Sequence, residues 1–421
     1  MSRGFYTPIR FQEVYTIYMK DSIVRKLIEE EKKRQKSVIN LIPSENYCSK
    51  DALEALGSVF DNKYAEGYPK ARYYGGNQVI DKIETLAQER ALKLFGLKKG
   101  VWHVNVQPWS GANANLAVYL GLVPVGGKIM GMSLTSGGHL SHGQKVSITG
   151  KAWQPVLFSV DGVTETLDYE KVKQLAIQEK PNIIVAGFTA YPRVVDFKKF
   201  REIADACGAY LLVDMSHIAG LIAGRAYPSP FPYADVVTTT THKTLRGPRA
   251  AMIFSRIDER ELNKKIDKAL FPGLQGGPHV SQIAGVAVAL KEADSPVFKK
   301  YAKQVVKNAQ TLAKSLQKKG WKIISGGTDS HLLLVDTWMG GVKNENGVGG
   351  VPGKEAEAML EKEGIICNKN TIPNESRSPF DPSGIRLGSP AETTRGKKEK
   401  DFEKIAERID VILRGVKIKR K

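Results

Sequence analysis

The sequence predicts an α/β fold, with a mostly parallel central sheet in a large domain and a smaller α+β domain at the C-terminal end. Beyond about residue 100, short apolar or β-branched runs alternate with amphipathic helical patterns, which is typical of such a sheet. The chain has 421 residues, of which 42% are hydrophobic and 25% charged. This length and composition predict two or three domains with a large core.

Two helical patterns precede the predicted sheet. In residues 20–37 the apolar side chains fall on one face and the charges on the other, and residues 79–95 repeat this pattern before a glycine-rich turn. Short β-branched or apolar runs then predict the strands of the central sheet at 183–188, 210–213, 236–241 and 251–254.

Helices dominate the chain after these strands. Helices are predicted at 282–291, 299–318, 355–363 and 399–413, and strands at 331–335 and 365–367. We therefore expect an N-terminal arm at 1–50, a large domain at 51–295 and a small domain at 296–421.

The strong positive charge raises the question of an anionic partner. A formal net charge of +19 would attract anions, and nucleic acid is one candidate. The basic residues are spread along amphipathic segments, however, with only residues 415–421 forming a basic tail, and no RNA-binding signature occurs. Solvated helix faces explain most of the charge, so no nucleic-acid partner is expected.

The sequence also carries no membrane or secretion signal. No apolar run reaches ~18 residues, and the N-terminal segment lacks the apolar stretch of a signal peptide. Cys48, Cys207 and Cys367 are odd in number and far apart, which is typical of free thiols in a reducing compartment. We expect a cytoplasmic protein without a membrane partner.

The segment VVTTTTHKTLRGPR contains a candidate nucleophile. Lys243 follows a predicted strand and lies in a polar turn, where a lysine can act as a Schiff-base nucleophile. Such an amine must lose its proton through desolvation or a neighbouring cation, and His242 and Arg249 are candidates for that cation. The alternative is a solvated turn lysine.

Asp214 is the candidate partner of this lysine. It ends the run YLLVD, 29 residues before Lys243, which is about one strand–helix repeat. Both side chains would then lie at the carboxyl edge of adjacent strands, where open α/β sheets hold their ligands. If the ligand is pyridoxal phosphate, Asp214 would keep its pyridine nitrogen protonated and maintain the ring as an electron sink. The alternative for Asp214 is a helix cap.

Two further segments carry candidate binding groups. Ser110 and Gly111 precede the helical run ANLAVYL, so the helix N-terminus predicts an anion site. His139 and His142 have an H-x-x-H spacing that metal sites use, but no third ligand accompanies them and the nearby glycines indicate a loop. No metal site is expected, and His142 is expected on the surface or behind the groups that contact the ligand.

Seven strings carry a family resemblance. They are NKYAEGYPKARYYGG, NVQPWSGANAN, GGHLSHG, VDMSHIAGLIA, TTTTHKTLRGPR, FPGLQGGP and SGIRLGSPAETTRG. Together they closely resemble the serine hydroxymethyltransferase family, whose members are pyridoxal-phosphate enzymes with the aspartate-aminotransferase-like fold (fold type I). The resemblance implies reversible conversion of L-serine and tetrahydrofolate, or a related tetrahydropterin, to glycine and methylenetetrahydrofolate.

The resemblance implies which residues meet the cofactor. Lys243 would hold pyridoxal phosphate covalently, Asp214 would face its ring nitrogen, and His139 would stack on the ring. His217 would support the ring and the substrate carboxylate. The other implied cofactor contacts are Thr189, Ser110, Gly111, His242, Tyr64, Gly276 and Gly277.

The resemblance also implies the substrate contacts. Arg386 would hold the amino-acid carboxylate through paired hydrogen bonds, with Ser44 as a second contact. Glu66 would be the acid/base near the substrate hydroxyl, and Tyr74 a substrate-binding phenol. The implied folate contacts are Leu134, Gly138 and Leu140.

An obligate homodimer follows from the same resemblance. Within the family, the segment around Tyr64 and Glu66 and the Gly276–Gly277 turn reach the cofactor of the neighbouring subunit, so the active sites would be shared, in a dimer or a tetramer. Ala112 departs from the family, where many members have a serine hydroxyl for the phosphate. We expect Thr241 or a water to compensate.

Two alternatives remain open at this point. The first keeps the cofactor but acts without folate, as a threonine-type aldolase or another fold type I enzyme. Comparing serine cleavage with and without tetrahydrofolate distinguishes it from a hydroxymethyltransferase. The second is a basic scaffold or nucleic-acid binder that has kept the fold, which predicts salt-sensitive binding to RNA or DNA.

Overall fold

The computed structural model describes residues 19–340 and 350–415. All but the first residue of the predicted basic tail lies outside these ranges. The chain divides into two compact units, Met1–Ile39 and Asn40–Lys421. Within the described residues, no helix is both long and apolar enough to cross a bilayer.

In the first unit, residues 19–39 are described, and they contain one exposed helix, α1 (Ser22–Ser37). Asp21 begins it, because its carboxylate accepts the N–H groups of Ile23 and Val24 at 2.9 and 3.1 Å. Ion pairs between residues three apart run along the helix surface. The helix predicted at 20–37 is therefore confirmed. A short strand, β1 (Ile39–Asn40), spans the boundary between the two units.

The second unit begins with the elements of the central sheet and its covering helices. Up to residue 158 they are α2 (Lys50–Leu56), β2 (Gly67–Tyr68), β3 (Ala71–Arg72), α3 (Gln78–Phe95), β4 (Trp102–Asn105), α4 (Gly111–Leu122), β5 (Lys128–Met132), α5 (Ile148–Ala152) and β6 (Gln154–Phe158). Up to residue 293 they are α6 (Tyr169–Glu179), β7 (Ile183–Val185), α7 (Phe197–Cys207), β8 (Tyr210–Asp214), α8 (Ala219–Ala223), β9 (Val236–Thr240), β10 (Ala251–Arg256), α9 (Leu262–Leu270) and α10 (Val280–Ala293).

The central sheet has seven strands in the order β4-β10-β9-β8-β7-β5-β6. Strands β9, β8, β7, β5 and β6 are parallel to one another, and β10 runs antiparallel to both β9 and β4. The predicted mostly parallel sheet is confirmed, and the carboxyl ends of β8 and β9 meet at one edge.

A second sheet follows in the C-terminal part of the chain. Its elements and the helices around it are α11 (Pro296–Lys318), β11 (Lys322–Ile323), β12 (Leu332–Asp336), α12 (Gly353–Lys362), β13 (Ile365–Ile366), β14 (Asn368–Asn370), β15 (Gly384–Gly388), α13 (Pro390–Thr394) and α14 (Glu399–Leu413). Four of these strands form an antiparallel sheet in the order β11-β12-β15-β14. Its residues all follow the predicted boundary at 295, and the exact domain limits stay a prediction.

Two strand predictions need correction. The strand predicted at 183–188 ends at Val185. The chain must then pass close to Asp214, since a Cβ at Gly187 would lie 2.6 Å from the Asp214 Cβ. The strand predicted to reach residue 241 ends at Thr240, and Asp214 is itself the last residue of β8.

The faces of the central sheet are covered by two separate apolar clusters. On β9, Val236 packs into the cluster with α4 and α9, whereas Val237 packs into the cluster with α3, α7 and α10. This alternation follows from the two-residue period of a strand. Toward the carboxyl end of β9 the face that meets α4 becomes polar, because Thr238 and Thr240 follow Val236 on that face.

The larger cluster contains an aromatic group around Phe254, which is fully buried on β10. Its ring packs edge-on against Phe95 and Phe231, with centroids 5.5 and 5.3 Å apart. Phe254→Ala should lower the free energy of unfolding by about 3–5 kcal/mol, because the deleted ring leaves a cavity. Chemical denaturation followed by circular dichroism measures this loss.

Phe380→Ala is the matched control, since Phe380 is 84% exposed. Its loss should stay within about 0.5 kcal/mol. Equal losses for the two variants would contradict the placement of Phe254 in the core.

Candidate functional site

A cavity of about 350 Å³ opens at the carboxyl edge of the central sheet. Three elements meet there: the end of β8, the turn after β9 and the N-terminus of α4. The structure brings ten of the predicted site residues to its lining: Ser44, Ser110, Gly111, His139, Thr189, Asp214, His217, His242, Lys243 and Arg386.

Lys243 is a buried amine at the centre of this lining. Its Nζ makes no hydrogen bond or ion pair with any of the described residues. Burial, helped by the charges of Arg386 and Arg249, lowers the pKa of Lys243 to about 8 against the attraction of Asp214. The amine is therefore far more available as a neutral nucleophile than an ordinary lysine.

His242 does not supply the cation that the sequence suggested. Burial, together with the charges of Lys243 and Arg249, lowers the pKa of His242 to about 3, so its ring is neutral near pH 7. The prediction is therefore wrong for His242 and correct for Arg249, whose charge acts on Lys243 together with that of Arg386.

Asp214 is held as an anion by three donors. Asn115 and His142 donate to its Oδ2 at 2.9 and 3.0 Å, and the Ser216 N–H donates to Oδ1 at 3.0 Å. Burial alone would raise the pKa of Asp214, but the hydrogen bonds from His142 and Ser216 and the charges of His142 and Lys243 hold it well below its usual range. A carboxylate of this kind can face a protonated ring nitrogen.

Two predicted ring-contacting histidines are neutral. Burial lowers the pKa of His139 to about 4 and lowers that of His217 well below its usual range. The His139 Nδ1 accepts the Ser141 backbone N–H at 3.1 Å, so its proton lies on Nε2. His217 Nδ1 lies 3.1 Å from Nε2 of the buried His331.

Arg386 enters the cavity from the second sheet. It lies on β15, where Leu334 and Asn368 are its cross-strand partners. Its Nη1 donates to the Thr189 carbonyl at 2.7 Å and its Nε to Asn368 Oδ1 at 3.1 Å. These bonds fix the guanidinium plane in the cavity that also contains Lys243. A guanidinium held in this way can bind a carboxylate.

The other end of the cavity suits a phosphate. Ser110 caps the N-terminus of α4, a helix of 12 residues, and Gly111 packs closely because a Cβ there would lie 2.7 Å from Thr240 Cγ2. Thr240 Oγ1 and His242 Nδ1 are buried here without a partner among the described residues. Unsatisfied buried donors beside a helix N-terminus fit an anionic group.

The predicted compensation for Ala112 by Thr241 is wrong. Thr241 does not line the cavity, because its hydroxyl donates to the Pro248 carbonyl at 2.5 Å. Thr240 lines the cavity instead. The strand ends one residue earlier than predicted, and adjacent strand residues face opposite sides.

These groups together fit pyridoxal phosphate. The orphaned polar atoms of Thr240 and His242 match the phosphate, the Asp214 carboxylate matches the ring nitrogen, and the buried Lys243 amine matches the aldehyde. His217 Nε2 is also buried in this lining without a described partner.

A second group of predicted residues lies outside this cavity. Glu66 and Tyr64 pack near the Gly276–Gly277 turn, since a Cβ at Gly276 would be 3.4 Å from Glu66 Oε1 and one at Gly277 would be 3.4 Å from the Tyr64 ring. Tyr74 contacts Tyr64 edge-on, with ring centroids 5.1 Å apart. The structure therefore gathers these five residues into a separate cluster, which we call the Glu66 cluster.

The predicted folate contacts lie on the segment that carries His139. Leu134 and Leu140 are partly exposed, at 38% and 49%, and neither lines the cavity. Packing alone requires a glycine at position 138, because a Cβ there would lie 1.9 Å from the Met132 carbonyl oxygen. Their contact with folate stays a prediction.

Sequence reasoning missed several residues of the site. His142 is not one of them, because one of its two expected positions, behind the groups that contact the ligand, is correct: it is buried against Asp214. Asn115 also binds Asp214, and as a polar residue within the apolar run ANLAVYL it could have been found. Nothing in the sequence pattern marks His331, which contacts His217 across 114 positions.

Comparison with known proteins agrees with this geometry. The model of the family described as serine hydroxymethyltransferase matches residues 17–409. The chain is 52% identical over 406 residues to serine hydroxymethyltransferase of Legionella pneumophila (strain Lens), which covers 96% of this chain and 94% of that relative. The protein of the same name from strain Corby is 51% identical over the same shares.

The chain belongs to the serine hydroxymethyltransferase family. Members of this family are pyridoxal-phosphate-dependent transferases with tetrahydrofolate as co-substrate, and their fold is pyridoxal-phosphate fold type I. The resemblance drawn from the seven strings is confirmed.

The lowered pKa of Lys243 gives a pH prediction for the protein without cofactor. At pH 7 about a tenth of an amine with a pKa of about 8 is neutral, against fewer than about one in a thousand for an ordinary lysine. Acylation of Lys243, read by mass spectrometry, should rise with pH to a midpoint near 8. A midpoint above about 10, as for exposed lysines, would contradict the effect of burial.

Proposed function

We propose that this cavity is the site at which the chain interconverts L-serine and glycine, with tetrahydrofolate or a related tetrahydropterin as the carrier of the one-carbon unit. The observation that supports this most strongly is the meeting of Lys243, Asp214 and Arg386 in one buried cavity. An amine with a lowered pKa, a fixed carboxylate and a guanidinium are the groups that a cofactor-bound amino acid needs.

Pyridoxal phosphate, when bound, supplies an electrophilic carbon and an electron sink for cleavage of the serine Cα–Cβ bond. Lys243 is proposed as the nucleophile that holds the cofactor. Asp214 would hold a proton at the pyridine nitrogen, and His139 would pack on the ring. His217, Thr189, His242, Ser110 and Gly111 are proposed as further contacts with the cofactor.

Arg386 is proposed to bind the substrate carboxylate, with Ser44 beside it. Its Nη2 makes no hydrogen bond with the described residues, while Nε and Nη1 are anchored. Burial lowers the pKa of Arg386 to about 10, so it stays charged at neutral pH. A fixed cation in a low-dielectric cavity favours an amino-acid carboxylate over neutral analogues.

The Glu66 cluster is proposed to act in the cavity of a second subunit. Among the residues that line the cavity of this chain, the carboxyl groups are Asp214 and Glu45, and Asp214 is already occupied by three donors. Glu45 accepts the Asn40 side-chain amide at 2.8 Å, so Glu66, which is half-buried outside this cavity, is proposed as the acid/base carboxyl for the substrate hydroxyl. The active form would be a homodimer, or a tetramer of such dimers, in which Tyr64, Tyr74, Gly276 and Gly277 also serve the neighbouring site.

The remaining proposals concern the carrier and the setting. Leu134, Gly138 and Leu140 are proposed folate contacts, because they flank His139 at the cavity. The large domain is proposed to span 51–295 and the small domain 296–421. The enzyme is proposed to act in the cytoplasm.

Lys243→Ala tests the proposed nucleophile. Turnover of serine should fall to background, because no other described amine lines the cavity, while the circular dichroism spectrum without cofactor should be unchanged. Serine cleavage is measured with and without tetrahydrofolate. Repeated turnover by the variant would contradict the role of Lys243, and wild-type cleavage independent of tetrahydrofolate would favour the aldolase.

Mixed dimers test the shared sites. Lys243→Ala and Glu66→Gln chains should each be inactive alone, but chains refolded as a mixture should recover about a quarter of wild-type activity. Half of the dimers in a random mixture are then mixed, and one of their two sites contains neither substitution. Failure of the mixture to recover activity, with exchange of subunits shown by mass spectrometry, would place Glu66 and Lys243 in the same subunit's site.

A further inference from the structure

Behind the cavity lies a chain of hydrogen bonds that no proposed role uses. Its members are Thr238, Asn115 and Ser141, whose exposed fractions are 1%, 1% and 4%. They connect Asp214 with His139. The proposed function places Asp214 at the ring nitrogen of the cofactor and packs His139 on the ring.

The direction of each bond follows from its chemistry. Thr238 Oγ1 donates to Asn115 Oδ1 at 2.7 Å, so the Asn115 amide turns its NH₂ group the other way. That NH₂ donates to Asp214 Oδ2 and to Ser141 Oγ, each at 2.9 Å. Both amide hydrogens and the amide oxygen of Asn115 are thereby used, which leaves a single orientation.

Ser141 passes this orientation on to His139. Since Ser141 Oγ accepts from Asn115, its own hydrogen is available to His139 Nδ1 at 2.8 Å. The Ser141 backbone N–H donates to the same Nδ1 at 3.1 Å. With two donors on Nδ1, His139 must carry its proton on Nε2.

The strands place Thr238 where it can begin this chain. In the parallel pairing of β8 and β9, Asp214 and Thr238 are direct partners. Both side chains point to the face that α4 covers, where Asn115 lies one helical turn inside the N-terminus. The pairing of β8 with β9 thus sets the distance between the Asp214 carboxylate and the Thr238 hydroxyl. That hydroxyl orients Asn115, which donates to Asp214.

We infer that Thr238 and Asn115 are positioning residues for the cofactor: through one oriented hydrogen-bond chain they fix Asp214 as an acceptor at the ring nitrogen and His139 as an Nε2–H tautomer. This inference rests on the proposed function, because the two groups matter together only if they hold one cofactor.

The tautomer can be tested without cofactor or activity. In protein labelled with ¹⁵N-histidine, long-range ¹H–¹⁵N spectra should show His139 as a neutral ring with its proton on Nε2, assigned by its loss in His139→Asn. A proton on Nδ1, or a charged ring near pH 7, would overturn the inference.

Thr238→Val tests the first bond with a side chain of nearly the same shape. Losing one neutral hydrogen bond should raise the dissociation constant for pyridoxal phosphate by about 3- to 10-fold. Thr238→Ser keeps the hydroxyl and should restore the constant to within about twofold. Asn115→Asp should weaken binding more than Thr238→Val does, because a second carboxylate would face Asp214.

Thermal unfolding of each variant without cofactor separates positioning from folding. A purely structural Thr238 would lower the melting temperature of Thr238→Val and leave its dissociation constant unchanged, and that result would overturn the inference. So would a Thr238→Ser variant that binds as weakly as Thr238→Val. If the wild-type chain takes up no pyridoxal phosphate, the proposed function fails, and the histidine spectrum still decides whether the chain of bonds is oriented as described.

Discussion

The site depends on burying an amine and a carboxylate together at the edge of a sheet. Desolvation disfavours both charges, and mutual attraction would leave Lys243 protonated and unreactive. The structure resolves this conflict by giving Asp214 other donors, from Asn115, His142 and Ser216, while Arg386 and Arg249 oppose the charge on Lys243. The carboxylate stays ionised and the amine becomes reactive.

The parallel sheet is what makes this pairing possible. Because β8 and β9 end at the same edge, Asp214 at the end of β8 lies beside the turn after β9 that carries Lys243. One face of β9 runs from Val236 in the core to Thr238 and Thr240 at the site, so the same two-residue alternation serves packing and binding. A shift of one residue would turn both threonines away from α4.

Much of the fold and of the first cavity could be predicted from the sequence, because local patterns determine both. Strand and helix periodicity located β8, β9 and α4, and the spacing of Asp214 and Lys243 placed them on adjacent strands. Errors arose where tertiary surroundings decide. Burial neutralises His242, and β9 ends one residue earlier than predicted, so Thr240 rather than Thr241 lines the cavity.

In the proposed homodimer, the loop that carries Glu66 would serve the cavity of the neighbouring subunit, and contacts within its own chain already hold the backbone of that loop in place. The Arg72 guanidinium donates to the carbonyls of Ala65 and Gly67, on either side of Glu66, at 2.9 and 2.7 Å. The same side chain forms ion pairs with Asp81 and with the buried Glu84. Removing one partner from such a buried network would leave an uncompensated charge, which is strongly destabilising. The backbone around Glu66 is therefore fixed within one chain, so in the proposed dimer this carboxyl would lose little conformational entropy on assembly.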